Sequence, residues 1–171
     1  ILGTFQSTLT NFPYLRKIWR TNTEEERLLG VSLTGIMDNA MMSGSDSYDD
    51  LDLVLEKLRD YAVDVNAIFA EKLGISQSAA ITCVKPSGTV SQLTDAASGI
   101  HGRHSPYYIR RVRNDNKDPM TQFLIEQGIP NEPCVMNPNN TTIFSFPMQS
   151  PKSSILRENL TAIQHLELWL T

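Results

Sequence analysis

The longest regular pattern of apolar positions in the chain covers residues 48–73. Apolar side chains recur there at intervals of three or four residues, which is the spacing of one face of an α-helix. These positions are Leu51, Leu55, Leu58, Ala62, Val65, Ile68 and Phe69. The pattern therefore predicts a helix over residues 48–73. Ser47 and Asp50 can cap its first turn, and Gly74 suits the left-handed position after its last turn.

Three shorter runs have the composition of β-strands. One run ends near Val84, and the other two cover residues 107–113 and 141–146, where β-branched and aromatic residues are frequent. Residues 30–37 alternate small or polar residues with apolar ones. This last segment fits either a short strand or the start of a tightly packed helix.

Helical patterns lie between and around these runs. We predict helices over residues 89–97 and 119–127, and a further helix that begins near Ser153. Thr23 is the predicted N-cap of a short helical turn near the beginning of the chain. Because helices alternate with strands, we expect an α/β fold with a mostly parallel sheet. We expect residues 1–171 to form a single piece without an internal domain boundary.

Composition and charge are those of an ordinary soluble globular protein. The 171 residues are enough for one domain with a core, and 40% of them are hydrophobic and 20% charged. The net charge of −4 argues against broad binding of nucleic acid or membrane surfaces. The sequence starts without methionine and ends inside a helical pattern, from which we expect a piece of a longer protein.

A segment of small residues, 86–90, stands between the strand that ends near Val84 and the next predicted helix. Backbone N–H groups at the beginning of a helix are unpaired and favour an anion, and small residues let a ligand approach the backbone. Lys85 can add positive charge, and Ser91 can add a hydroxyl group. The Walker A pattern is absent. The local pattern alone leaves two interpretations, a plain turn and a phosphate-binding loop.

Cationic and imidazole side chains are concentrated after this segment. His101, Arg103 and His104 precede the predicted strand 107–113, which holds further arginines. These groups form either a cationic wall that faces an anionic ligand or a loop and strand edge with solvated arginines. Because no third ligand accompanies the two histidines, the sequence assigns no metal site.

The cysteines and the acidic clusters have no assigned catalytic role. Cys83 and Cys134 lie far apart and lack the spacing of a metal site, so we expect reduced thiols. The acidic residues at 24–26 and 46–50 are interpreted as the beginnings of helices, where negative charge is favourable.

Five short segments are informative when they are taken together. In chain order they are residues 26–36, Lys85-Pro86-Ser87-Gly88-Thr89-Val90-Ser91-Gln92-Leu93, Gly99-Ile100-His101, residues 106–113 and residues 165–169. In this order they resemble the large catalytic chain of ribonucleotide reductases. Within that family they are most similar to the monomeric, adenosylcobalamin-dependent ribonucleoside-triphosphate reductases. The resemblance implies an α/β fold that forms part of the second half of a ten-stranded α/β barrel.

The resemblance also implies a reaction and a binding site. In this family a thiyl radical starts the replacement of the ribose 2′-hydroxyl group by hydrogen, with adenosylcobalamin as radical source and a thioredoxin-type reductant. The residues that match the family's substrate-phosphate loop are Pro86, Ser87, Gly88, Thr89 and Val90, with Ser91 and Lys85 in supporting positions. The implied substrates are ribonucleoside triphosphates and the implied location is the cytoplasm. Neither nucleic acid nor a membrane is an expected partner.

One departure from the family pattern limits what this segment can do. The family's radical cysteine and catalytic glutamate form a Cys-x-Glu pattern, whereas Cys83 and Cys134 are each followed by other residues. We therefore assign no catalytic residue within the chain and expect the segment alone to be inactive. Two alternatives stay open: the same fold in an enzyme with a separate radical-generating subunit, and a non-catalytic nucleotide-binding module.

Overall fold

The computed structural model describes residues 1–45 and 50–171 of the chain. The predicted helix start at Tyr48, the candidate cap Ser47, and the acidic residues Asp46 and Asp49 lie outside the described residues. The described helices and strands are, in chain order, α1 (Leu2–Gln6), α2 (Lys17–Glu26), α3 (Leu51–Leu73), α4 (Val90–Leu93), β1 (Tyr107–Asp115), α5 (Pro119–Glu126), β2 (Asn131–Pro133), β3 (Thr141–Gln149) and α6 (Ala162–Leu170). Short 3₁₀ turns cover Ile36–Asp38 and Arg157–Asn159. Within the described ranges, every helix is too short or too polar to cross a membrane.

Helix α3 confirms the helix that the longest apolar pattern predicts. Gly74 follows its last turn in the left-handed conformation, with a φ of 65°. Asp50 occupies the N-cap position, but its side chain makes no capping hydrogen bond. The predicted apolar face is only partly covered, since Leu51 is buried whereas Leu58 is 46% exposed and Ile68 is 49% exposed.

Helix α1 is attached to α3 by a ring pair and a buried hydrogen bond. The rings of Phe5 and Phe69 lie 6.0 Å apart in an edge-to-face orientation. The side-chain amide of Asn66 donates to the hydroxyl group of Thr4 at 3.0 Å, and both side chains are buried. Because Asn66 is polar, the periodicity of apolar residues along α3 does not indicate this contact.

Two predicted helix boundaries are wrong. Helix α2 begins well before Thr23, which therefore lies inside the helix and is not its N-cap. Helix α6 begins after Thr161, not near Ser153. The reason is a capping box in which the Thr161 and Gln164 side chains exchange hydrogen bonds with each other's backbone N–H groups.

A three-stranded antiparallel sheet with the order β1-β3-β2 forms the C-terminal part of the described chain. Strand β1 pairs with β3 along its whole length, with Tyr107 opposite Gln149 and Asp115 opposite Thr141. Two of the predicted strands are thereby confirmed, but the prediction of a mostly parallel sheet is wrong for them. The direction of β3 depends on how the chain returns through α5 and β2, which local composition does not encode.

Parallel pairing occurs at two isolated bridges instead. Val31 pairs with Thr82, and Arg103 pairs with Leu156. The N–H group of Val31 donates to the carbonyl group of Ile81 at 2.9 Å. Residues 30–37, which the sequence assigned to neither strand nor helix, are thus extended at Val31, where they pair with Thr82.

Buried apolar side chains lie in several parts of the described chain. Phe144 of β3 and Ala70 of α3 are fully buried, and Met37 and Ala97 are 1% and 2% exposed. Large apolar side chains also remain exposed. Examples are Trp19, Tyr61, Ile109, Leu166 and Trp169.

Candidate phosphate-binding site

Residues 86–90, called the 86–90 loop below, lead directly into helix α4. Thr89 is the N-cap residue of this helix. The helix predicted over residues 89–97 is shorter in the structure and ends at Leu93. Asp95 takes a left-handed conformation with a φ of 46°, through which a right-handed helix does not continue.

One face of the 86–90 loop is open. All of its residues except Ser87 are exposed. Gly88 has a φ of 58°, and a β-carbon at this position would meet no atom within 4 Å. Within the part of the chain that the structure describes, the N–H groups of Ser87, Gly88 and Thr89 donate to no protein acceptor. Unpaired donors beside free space are an arrangement that suits an anion.

The other side of the loop is attached to residues 98 and 99. The hydroxyl groups of Ser87 and Ser98 lie 2.8 Å apart. A β-carbon on Gly99 would lie 3.0 Å from the carbonyl oxygen of Lys85, and Gly99 has a φ of 55°. Only glycine combines this backbone conformation with such a close approach. Gly99 belongs to residues 97–99, which lie against the start of the loop and are called the floor of the loop from here on.

The two supporting positions, Ser91 and Lys85, lie in different environments. Ser91 is fully buried, and its hydroxyl group accepts a hydrogen bond from the side-chain amide of Gln92 at 3.3 Å. Lys85 is exposed, and its ammonium nitrogen lies 3.2 Å from the position that a β-carbon of Gly30 would occupy. Ser91 is therefore inside the protein, whereas the Lys85 side chain is at the surface.

Arg103 lies in an ion-pair cluster with Asp38 and Asp95, and neither interpretation of the cationic segment applies to it. Its Nε and Nη2 groups donate to the two carboxylate oxygens of Asp38 at 2.9 and 2.8 Å, and Nη1 donates to Asp95 at 3.1 Å. The Arg103 side chain is 4% exposed. It is therefore neither solvated nor directed at a ligand.

Electrostatics in this cluster favour the charged forms. Burial raises the pKa of Asp38, but hydrogen bonds from Arg103 and from the N–H group of Ala97 outweigh burial and hold this pKa below its ordinary value. The hydrogen bond to Asp38 raises the pKa of Arg103, although burial acts in the opposite direction. Asp38 and Arg103 are therefore a stable ion pair at neutral pH.

The other cationic and imidazole groups do not form one wall. Arg111 pairs with Glu132 on the surface of the sheet. The rings of His101 and His165 lie 5.4 Å apart, and His104 is exposed. Among the described residues, His, Cys, Asp and Glu side chains form no group of three that could hold a metal ion.

Both cysteines are free thiols, with Cys83 exposed and Cys134 buried. The backbone N–H groups of Asn137 and Met136 face the sulfur of Cys134, and with a smaller effect of Arg113 they hold the pKa of this thiol below its ordinary value. Backbone donors stabilise the thiolate form in such a position.

Sequence reasoning missed two residues that hold the floor of the loop. The hydroxyl group of Thr34 donates to the carbonyl group of Ala97 at 2.9 Å and accepts from the N–H group of Gly99 at 3.0 Å. Asp38 accepts from the N–H group of Ala97 at 2.7 Å. The sequence does contain a signal for Asp38. This residue directly follows the apolar pair Ile36-Met37, and a carboxylate that is buried beside apolar residues requires a cationic partner. No local signal identifies Thr34.

A cavity of about 820 Å³ lies away from the loop. It is lined by residues at the beginning of α3, by the segment that precedes α6 and by α6 itself, among them Leu51, Ile155, Gln164 and Leu168. No residue of the 86–90 loop is among those that line it. The phosphate-binding candidate is therefore an open surface loop, separate from this cavity.

No family model matches the chain. Similar sequences are found among adenosylcobalamin-dependent ribonucleoside-triphosphate reductases. The protein of that name from Euglena gracilis is 33% identical over 153 residues, which cover 88% of this chain and 21% of the relative. The one from Lactobacillus delbrueckii subsp. bulgaricus is 28% identical over 170 residues, covering 85% of this chain and 23% of the relative. The chain thus spans about a fifth of the length of the curated relatives it matches.

A solved structure has the same fold. The crystal structure of a B-12 dependent (class II) ribonucleotide reductase matches with a TM-score of 0.69 and 25% sequence identity, covering 89% of this chain and 25% of that chain. The α/β fold class implied by the resemblance, part of the reductase catalytic barrel, is confirmed by this match. In both sequence and fold, the chain belongs to the adenosylcobalamin-dependent ribonucleotide reductase family, as the counterpart of one segment of its catalytic chain.

Proposed function

We propose that this chain is the substrate-phosphate segment of an adenosylcobalamin-dependent ribonucleoside-triphosphate reductase. The complete protein would replace the 2′-hydroxyl group of a ribonucleoside triphosphate by hydrogen, through a thiyl radical. The observation that carries the proposal is the open 86–90 loop with its unpaired N–H donors, in a segment whose relatives have that name.

The loop would bind the substrate through its backbone. The proposed phosphate-binding residues are Pro86, Ser87, Gly88, Thr89 and Val90, with Ser91 and Lys85 in support. The unpaired N–H groups of Ser87, Gly88 and Thr89 supply the donors, and the free space beside Gly88 admits a phosphate oxygen. Because the phosphates do not react, these contacts are equally strong before and during the reaction. They therefore act on substrate affinity more than on the chemical step.

The radical chemistry would be carried by other parts of the complete protein. Adenosylcobalamin supplies the radical when it is bound there, and a thioredoxin-type protein is the proposed reductant. Neither cysteine precedes a glutamate at the family spacing, so the radical cysteine and the catalytic glutamate are proposed to lie outside this chain. The part of this chain is to bind and orient the triphosphate. A cytoplasmic location belongs to the proposal and is supported by two free thiols.

The function is tested by assaying the full-length protein for deoxyribonucleotide formation from ribonucleoside triphosphates with a dithiol reductant. We expect product only when adenosylcobalamin is added. Cyanocobalamin, which lacks the adenosyl group, is the matched control and should give none. Activity that instead required an iron-bearing partner subunit would contradict the proposed radical source. Nucleotide binding without any reduction would favour a non-catalytic module.

The loop is tested by the substitution Gly88→Val in the same protein. A branched side chain would fill the space beside the unpaired N–H groups, so we expect KM for the ribonucleoside triphosphate to rise by about tenfold or more with little change in kcat. Gly128→Val is a matched control, since Gly128 also has a positive φ, of 74°, and open space within 4 Å. An unchanged KM in Gly88→Val would remove the loop from the proposal.

A further inference from the structure

The ion-pair cluster of Arg103, Asp38 and Asp95 is connected to the 86–90 loop through residues 97–99. Arg103 is the most enclosed member at 4% side-chain exposure, Asp38 is 16% exposed and Asp95 is 62% exposed. Burying an arginine between two carboxylates has a large desolvation cost, and a hydrophobic side chain of similar size is often no less stable. Stability alone therefore does not explain why these three charged residues are placed together.

The cluster holds the floor of the loop through the backbone of Ala97. One Asp38 oxygen accepts from Arg103 Nη2 at 2.8 Å and from the N–H group of Ala97 at 2.7 Å. On its other side, Ala97 is held by Thr34 and by the N–H group of Gly35, which both donate to its carbonyl oxygen. The position of Ala97 is thus determined by contacts on both sides of its backbone.

The floor in turn holds the loop. Ser98 follows Ala97, and its hydroxyl group lies 2.8 Å from that of Ser87. The backbone of Gly99 approaches the carbonyl oxygen of Lys85 so closely that a β-carbon would lie 3.0 Å away. A shift of residues 97–99 would therefore be transmitted to the start of the 86–90 loop.

Arg103 also holds the turn that follows α4. Its Nη1 group donates to the carboxylate of Asp95, and its Nη2 group donates to the carbonyl oxygen of the same residue. Asp95 has a φ of 46°, a left-handed conformation that is less favourable than the right-handed one for residues other than glycine, although aspartate tolerates it better than most. Two contacts from one guanidinium group support this conformation.

From this connectivity we infer that Arg103 is a positioning residue for the phosphate loop, acting through Asp38, Asp95 and the floor residues 97–99 without touching the substrate. The inference rests on the proposed function of the 86–90 loop. Arg103 cannot bind the phosphates itself, because Nε, Nη1 and Nη2 are all engaged by Asp38 and Asp95 and the side chain is buried. A lysine would keep the charge but lacks the planar group that contacts both carboxylates.

The test compares Arg103→Lys and Arg103→Met in the full-length protein. If Arg103 sets the loop geometry, both variants should raise KM for the ribonucleoside triphosphate by about tenfold while kcat changes by less than about threefold. Arg59→Met is the control, since Arg59 is an exposed arginine of α3 that also pairs with two carboxylates. Its kinetic constants should equal those of the wild type.

The split between KM and kcat separates positioning from a merely structural role. If Arg103 only stabilised the fold, the variants would lower the fraction of active protein and hence the apparent kcat, with KM unchanged, and the inference would be overturned. A raised KM in Gly88→Val together with an unchanged KM in both Arg103 variants would overturn the inference and leave the loop in place. An unchanged KM in Gly88→Val as well would remove the proposed loop and the inference with it.

Discussion

For Arg103, the environment in the folded protein contradicts the role that its position in the sequence suggests. In the chain it is one of several cations after the 86–90 loop, and a cation in such a place is a natural partner for an anionic ligand. In the folded protein it is enclosed by Asp38 and Asp95, and its charge is already neutralised. The unpaired N–H groups of Ser87, Gly88 and Thr89 are therefore the contacts that we propose for the phosphates, although they carry no net charge.

Asp38 makes the stability of the protein depend on pH. Its pKa is lower in the folded than in the unfolded chain, so its ionised form stabilises the fold. This stabilisation is complete above the ordinary aspartate pKa of about 3.9 and is lost as the pH falls through the lower, folded value. We expect Asp38→Asn to lower the free energy of unfolding by about 3 kcal/mol at about pH 7, and by less at about pH 3, where the unfolded chain binds more protons at this position.

Urea denaturation at the two pH values measures this difference. Asp64→Asn, at an exposed position of α3, is the control and should have a small effect at both. An equal loss of stability in Asp38→Asn at both pH values would contradict a role for the ionised carboxylate.

At the scale of the elements, local pattern predicted which segments are regular more reliably than where they begin and what they pair with. Helices α3 and α5 and strands β1 and β3 follow from periodicity, β-branched residues and the Asp118-Pro119 start. The direction of pairing between β1 and β3 does not, because it is a property of the connection between them. Helix α4 also ends earlier than predicted, before the left-handed turn at Asp95, whose carboxylate accepts a hydrogen bond from Arg103 eight residues later.

At the scale of the whole molecule, the exposed apolar side chains are consistent with a segment of a larger catalytic chain. Trp19 is 55% exposed, Tyr61 is 70% exposed and Trp169 is 57% exposed. Side chains of this size contribute most when they are buried. Their exposure fits the finding that the chain matches only about a fifth of the length of its relatives.

Gly102 lies against the backbone of Leu156 and Arg157, so a substitution of Gly102 tests whether these distant parts of the chain are in contact. A β-carbon there would lie 2.8 Å from the backbone nitrogen of Arg157 and 2.9 Å from the carbonyl carbon of Leu156, next to the bridge that Arg103 forms. We expect Gly102→Ala to lower the free energy of unfolding by about 1–3 kcal/mol, because backbone atoms must move apart. Urea denaturation measures the change.

Gly3→Ala is the matched control for this substitution. A β-carbon on Gly3 would lie 3.4 Å from the side chain of Leu29, an ordinary contact, and Gly3 is inside helix α1. Stability should be unchanged or slightly higher, since alanine reduces the freedom of the unfolded chain. A Gly102→Ala variant as stable as the wild type would show that the two segments are not in close contact.

Residue order and spacing were sufficient to identify the family, the position of the long helix, two strands and the segment of small residues at 86–90. These depend on residue order and on periodicity, which are local properties. The folded arrangement was needed to show that the loop is open on one face, that Arg103 is enclosed, and that Thr34 and Asp38 hold Ala97. The hydrogen bonds that Thr34 donates to Ala97 and that Asp38 accepts from Ala97 join residues 63 and 59 positions apart in the chain. Such contacts form only when folding brings separate segments together, so no local pattern encodes them.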